Sequence, residues 1–306
     1  MNRLLKSERF LILAAFAAIY LIWGSTYILN FWSLESLPPF LLAGSRFLVA
    51  GVLLGLFFIP RVAVVSGKQL LNASGIGILL LGIGTGAITY AIQFIDTGLA
   101  ALTVAFEPLI VVVLMWMVQQ KRPTWMTVMG LLLGIGGMIT LVSQETIVTD
   151  QDTLFGMCII MISLLSWAIG SVYMAQLTLP TSKGLSAAIQ MIASGIFLII
   201  ASAFFGEDML MITHSFSWRA LLSWITLVIF GSIIAYSAFN YLLIKSTPDK
   251  VATTTYVNPV VALILGWGLN NEHISGQSIV AAFILLSGVF FINFGKKQFR
   301  RIKWKG

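Results

Sequence analysis

Ten long apolar runs, separated by short polar connections, make up almost the whole chain. They cover roughly residues 10–29, 39–59, 71–94, 99–118, 124–142, 154–177, 185–205, 218–244, 251–269 and 275–294. A helix needs about 20 predominantly apolar residues to cross the hydrocarbon core of a bilayer, and each run has about that length. The pattern predicts an all-α integral membrane protein of ten transmembrane helices. Residues 10–142 and 154–294 form two five-helix units, and residues 295–306 a basic tail. Phe10–Leu29 is too long for the apolar core of a cleavable signal and lacks a good small-residue cleavage site, so it is expected to stay as the first span.

The polar positions set the orientation. Of the 18 Lys and Arg residues, 16 fall at the N-terminus, in the even-numbered connections or at the C-terminus. The other two are Arg46, inside the second run, and Arg219, at the start of the eighth. Glu35, Asp96, Glu145, Asp150, Asp152, Glu207, Asp208 and Glu272 all lie on the opposite side. An excess of basic residues marks cytoplasmic loops, so both termini are expected in the cytoplasm. The chain is 58% hydrophobic and 9% charged, against about 25% charged in an average soluble domain. That composition excludes a soluble fold. The net charge of +7 does not indicate nucleic acid, because six basic residues cluster in Lys296–Lys305 beside a membrane exit and suit anionic lipid. The single cysteine, Cys158, allows neither a disulfide framework nor a metal cluster.

The two units repeat one another. Residues 98–139 align without a gap on 249–290, matching Ala101 with Ala252, Thr103 with Thr254, Pro108 with Pro259, Trp116 with Trp267 and Gly137 with Gly288. Gly24-Ser25-x-Tyr27 returns as Gly170-Ser171-x-Tyr173, and Arg46 with Gly51 falls on Gln190 with Gly195. Each unit has an odd number of spans, so the second enters the membrane upside down. Inverted repeats of this kind support alternating access around a site near the midplane. Val104–Trp116, with Glu107-Pro108, and Thr255–Trp267, with Asn258-Pro259, are the matched segments that point to it. Each proline removes a backbone donor and frees the carbonyl four residues back, those of Val104 and Thr255. In hydrocarbon a freed carbonyl is tolerated only where protein or a water-filled cavity supplies a partner.

The fragments IWGSTYI (22–28), GSRFLVAG (44–51) and NPVVALILGWGLNNEHISGQSIVAAFILLSGVFFI (258–292) resemble the EamA family of the drug/metabolite transporter superfamily. The resemblance covers nearly the whole chain. It implies a secondary transporter of the bacterial inner membrane that exports amino acids, other metabolites or toxic compounds. The second unit has the family's acidic position after the proline-led helix at Glu272. The first unit departs there, with Lys121-Arg122-Pro123 in place of Gly-Glu, and Glu107 before the proline is not demanded by the family pattern.

Glu107 is the only acidic residue within a run, and Arg46 the only base deep inside one. At 1.5 Å per residue both lie about 10–12 Å below the same face, so they are expected to pair if helices 2 and 4 face each other. A charge at the bilayer centre costs about 2.5–3.5 kcal/mol on insertion scales. Two readings follow. Glu107 is a substrate-amine or proton site with Arg46 as its partner or as a carboxylate binder, or the two form a structural ion pair. In the second unit the matching positions are the neutral amides Asn258 and Gln190. Trp23, Tyr27, Tyr90, Gln93, Trp167, Tyr173, Tyr236, Asn240 and Tyr256 lie in or near the spans expected to line a cavity, where rings and amides suit a zwitterion or a flat organic molecule. Trp and Tyr also populate interfacial belts, the reading that fits Trp116 and Trp267. The glycines of runs three and five read as close-packing positions. Gly82-x-Gly84-x-Gly86 has no following Lys-Ser/Thr and is not a phosphate loop.

His214 and His273 read as solvated connection residues, no metal spacing is present, and no catalytic or cofactor motif stands out. The expectation is a secondary transporter without a cofactor. Its partners are a small-molecule substrate, the lipid bilayer and, through Glu107, protons as a candidate coupling ion, and it acts as a monomer or homodimer. A passive facilitator or channel and a non-transporting scaffold subunit are the alternatives.

Overall fold

The computed structural model describes residues 2–58, 65–120, 123–143, 151–208, 210–270 and 275–302. Among these the regular structure is helical throughout. The elements are α1 (Asn2–Ser33), α2 (Pro39–Phe58), α3 (Gly67–Gly77), a π-helix π1 (Ile78–Thr85), α4 (Gly86–Ala91), α5 (Thr97–Val104), α6 (Glu107–Gln119) and α7 (Trp125–Val142). The second part has α8 (Gln151–Met174), α9 (Lys183–Phe204), α10 (Met211–His214), α11 (Trp218–Thr226), π2 (Leu227–Ile234), α12 (Ala235–Lys245), α13 (Pro248–Val251), α14 (Thr254–Asn270) and α15 (Gly276–Ile302). Seven of the ten apolar runs form helices long and apolar enough to cross a membrane. The fifth, ninth and tenth carry the shorter apolar helices Trp125–Thr140, Thr254–Leu269 and Ile279–Ile292. Glu145, Asp150, Glu272, His273, Lys121 and Arg122, and the tail beyond residue 302, lie outside the described residues.

Local chemistry sets the helix ends. Ser66 opens α3 with a reciprocal capping box: its hydroxyl accepts from the Gln69 amide, whose side chain accepts from the Ser66 amide. Thr124, Ser182 and Ser217 cap α7, α9 and α11 in the simpler way. Gly206, at φ 68°, lets the chain leave α9 in a left-handed turn that a Cβ would strain.

The matched prolines have different outcomes. The fourth run breaks at Ala105–Phe106, where amides reach back only three residues, to Leu102 and Thr103, and Pro108 sits in the first turn of α6. In the ninth run the tightened turn lies at residues 253–256, and α14 continues through Pro259. There Thr253, Thr254 and Thr255 donate their hydroxyls to the carbonyls of Lys250, Val251 and Ala252 at 2.6–2.9 Å. These bonds occupy backbone acceptors beside the bend, so the distortion is absorbed without a full break.

Two pairs of helices pack most extensively, α2 along α9 and α7 along α15. Glycines permit both approaches. A Cβ at Gly195 would stand 2.6 Å from the Leu48 backbone nitrogen, and one at Gly51 would stand 2.8 Å from that of Ile192. Gly130 and Gly288 meet backbone to backbone in the second pair. Small residues at membrane crossings gain dispersion contact that longer side chains would prevent. The outer surface carries exposed Phe, Leu, Ile and Trp, including Trp116 and Trp267, as a lipid-facing surface requires.

Candidate substrate-binding cavity

A cavity of about 720 Å³, its open mouth included, lies between α1, α2, π1, α4, the α5–α6 break, α8, π2, α12 and α14. Of the residues singled out from sequence, it brings together Trp23, Tyr27, Arg46, Glu107, Trp167, Tyr236 and Asn258.

Arg46 is 3% exposed. Its Nε donates to Ser232 Oγ at 2.8 Å and its Nη1 to Asn30 Oδ1 at 3.5 Å, while the guanidinium lies 4.7 Å from the Phe47 ring centroid. Glu107 is 6% exposed and faces the same cavity. Among the described residues the two ion pairs are Arg219–Glu35 and Lys245–Glu8, so Arg46 and Glu107 do not pair as their equal depth suggested. The reason is azimuth. α2 packs against α9 and π2 rather than against α5 or α6, which turns Arg46 toward Ser232. The Glu107 carboxyl makes no hydrogen bond to any described residue. An acid and a base thus line the same cavity without pairing, and a charge held at the bilayer centre costs about 2.5–3.5 kcal/mol on insertion scales.

Aromatic rings form one wall. Trp23 and Trp167 meet edge to face at 5.6 Å, and both contact Phe239, at 5.2 and 5.3 Å. Tyr236 stacks on Phe239 at 5.9 Å and donates its hydroxyl to Gln190 Oε1 at 2.5 Å. Trp23 Nε1 donates to the Gly231 carbonyl at 3.2 Å. With its amide nitrogen turned toward them, Asn258 donates to the carbonyls of Thr254 and Tyr20 at 3.1 and 3.2 Å.

Five expected residues lie elsewhere, and one sits behind the wall. Gln190 does not reach the cavity but supports it through Tyr236, and also donates to Ser186. Asn240 is buried one turn beyond Tyr236, donating to its carbonyl at 2.9 Å. Tyr256, 1% exposed, packs among Leu102, Ala105, Met138 and Leu285 with its hydroxyl against Gly134. Tyr90 stacks on Phe40 at 5.1 Å, Gln93 is exposed, and Tyr173 is 41% exposed on the outer face. Tyr90, Tyr173 and Tyr256 lie on helix faces that do not line the cavity, Gln93 lies in the turn after α4, and Asn240 shares the face of Tyr236 but one turn beyond the cavity. Residues that sequence reasoning missed include Thr26, Asn30, Thr85 and Ser163, which line the cavity, and Ser232, which holds Arg46. The signal available for them was an isolated polar residue within an apolar run.

The EamA-like transporter family pattern matches twice, over residues 9–143 and 154–294. The chain belongs to the EamA-like transporter family. The uncharacterized inner membrane transporter YedA of Escherichia coli (strain K12) is 37% identical to it over 289 residues, covering 93% of this chain and 91% of that protein. The probable amino-acid metabolite efflux pump of Escherichia coli (strain K12) is 24% identical over 296 residues, covering 93% and 95%. One solved crystal structure superposes with a TM-score of 0.72 at 19% identity, over 94% of this chain and 97% of that one, a likeness of fold. Family and membrane-length helices together make this EamA-like protein a multi-pass membrane transporter.

Proposed function

We propose that this EamA-like protein is a secondary transporter of the bacterial inner membrane that exports amino-acid-like zwitterions by alternating access through the cavity. Arg46 receives the substrate carboxylate. Glu107 receives its ammonium group, or a proton in its absence, and the Trp23–Trp167 wall accepts the apolar part. The observation that carries this reading is a buried acid and a buried base, Glu107 and Arg46, that face one cavity without touching. A ligand bearing both charges neutralises both at once, whereas a neutral solute leaves both uncompensated. The relative named as a probable amino-acid metabolite efflux pump supports the substrate class and the direction.

The architecture we infer is ten spans in two inverted five-helix repeats, residues 10–142 and 154–294, with both termini and the basic tail 295–306 in the cytoplasm. Several features support it. The family pattern fits twice. The third helix of each unit contains an eight-residue π-helix, π1 and π2. The most extensive packing joins second helix to second and fifth to fifth.

The test compares the medium of cells expressing wild type, Glu107→Gln and Arg46→Gln at equal membrane levels. Zwitterions enriched by wild type and lost with either variant support the reading. Enrichment unchanged by both variants refutes the assigned roles, and release that never runs against a gradient and does not respond when the proton gradient is collapsed indicates a passive facilitator.

A further inference from the structure

π-Helices account for well under 1% of residues in globular proteins and concentrate at functional sites. Two eight-residue stretches in one chain therefore need a reason. Both π1 and π2 border the cavity, and in both the irregular backbone is held by side chains from the first helix of the other unit. Ser163 and Ser166 of α8 donate to the Gly84 and Leu79 carbonyls of π1, at 2.6 and 2.7 Å. Trp23 of α1 donates to the Gly231 carbonyl of π2. π2 carries one contact that π1 lacks: its Ser232 holds Arg46, the buried cation of the cavity.

The geometry points to π2 as the element that couples cavity occupancy to the aromatic wall, with Ser232 as the positioning residue for Arg46. A π-helix bonds i to i+5 where an α-helix bonds i to i+4, so relaxing π2 to α passes one residue downstream. The following segment then turns by about 100° and advances about 1.5 Å. That segment is α12, which bears Tyr236 and Phe239 of the wall and ends at Lys245, bonded to Glu8 of α1 at 2.5 Å. An anion that draws Arg46 off Ser232 removes one of the two side-chain bonds holding π2, and the relaxation dismantles the Trp23–Trp167–Phe239 contact. The alternating-access reading above gives this switch its purpose, while the switch itself needs no substrate to be observed.

The test uses the full-length chain in native membranes with Cys158→Ser, Glu8→Cys and Lys245→Cys. The two Cα atoms of a Glu–Lys pair lie beyond disulfide reach. The extent of cross-linking by a short, rigid bismaleimide, whose span replaces the two long side chains of the Glu8–Lys245 pair, therefore reports whether α12 holds its present orientation. Deleting Ile229, which is 41% exposed on the outer side of π2, removes the extra residue and fixes α12 in place. We expect cross-linking to be greater with the deletion than without it. Ser232→Ala on the intact π-helix should lower cross-linking, with Ser232→Thr restoring it. Equal cross-linking in the parent and the Ile229 deletion overturns the proposal. Should the deletion not reach the membrane, unchanged cross-linking in Ser232→Ala overturns it instead. Because no ligand is added, either failure leaves the transport reading intact. Absent zwitterion export alongside a changed cross-link would refute only that reading.

Discussion

Replacing Glu207 by alanine should loosen the outer end of α2, and the expected cost follows from the fate of each donor there. The first residues of any helix have amides without intrahelical acceptors. In α2 the first, Pro39, has no N–H. The Leu42 amide bonds the Pro38 carbonyl at 2.8 Å. The remaining two, Phe40 and Leu41, both donate to Glu207, at 2.8 Å to Oε1 and 2.9 Å to Oε2. Glu207 follows the end of α9, so one carboxylate caps α2 and ties it to the helix it packs against most. Hydrogen bonds to a charged group are worth about 1.5–3 kcal/mol each when buried. Both donors are partly exposed, so water recovers some of that loss, and an N-cap deletion costs about 0.5–2 kcal/mol. We therefore expect Glu207→Ala to destabilise by about 2 kcal/mol and Glu207→Gln, which keeps one acceptor, by about half as much. The assay is thermal unfolding of purified protein in detergent, followed by near-UV dichroism. A Glu207→Ala variant that melts with wild type, or one no less stable than Glu207→Gln, would refute the capping argument.

Other substitutions probe other links. Gly195→Ala forces a Cβ toward the Leu48 backbone and should cost about 1–3 kcal/mol by overpacking, read as a lowered melting temperature, whereas Gly75→Ala, with open space around it, should not. Tyr236→Phe leaves the fully buried Gln190 Oε1 without its donor and should cost about 1–3 kcal/mol; a neutral result in the same unfolding assay would mean water replaces the phenol. Arg46→Lys keeps the charge but cannot serve Ser232 and Asn30 in the same fork geometry, so the concentration for half-maximal transport in everted vesicles should rise while the maximal rate falls less.

The apolar runs revealed the helices because length and hydropathy alone decide what can lie in hydrocarbon. The matched prolines revealed the neighbourhood of the cavity, and depth from the run ends placed Arg46 and Glu107 near one level. Depth says nothing about azimuth, and azimuth separated the two charges. It also turned Tyr90, Tyr173 and Tyr256 away from the cavity while bringing Trp23 and Trp167 together. The π-helices left no trace in the pattern, since a segment apolar on every face reads the same at either bonding register. Ser232 was hidden for a related reason: a serine in a membrane run is common, and only the fold shows that this one holds an arginine.

The edge-to-face contact of Trp23 with Trp167 gives the cavity an optical signature. Trp116, Trp125, Trp218 and Trp267 face outward, where their emission depends on the surrounding lipid or detergent. The two indoles in the wall sit beside the buried guanidinium and carboxylate, so a ring or charge entering the cavity alters their emission directly. Occupancy can then be followed by intrinsic fluorescence, with Trp23→Phe and Trp167→Phe as controls, before any transported compound has been labelled.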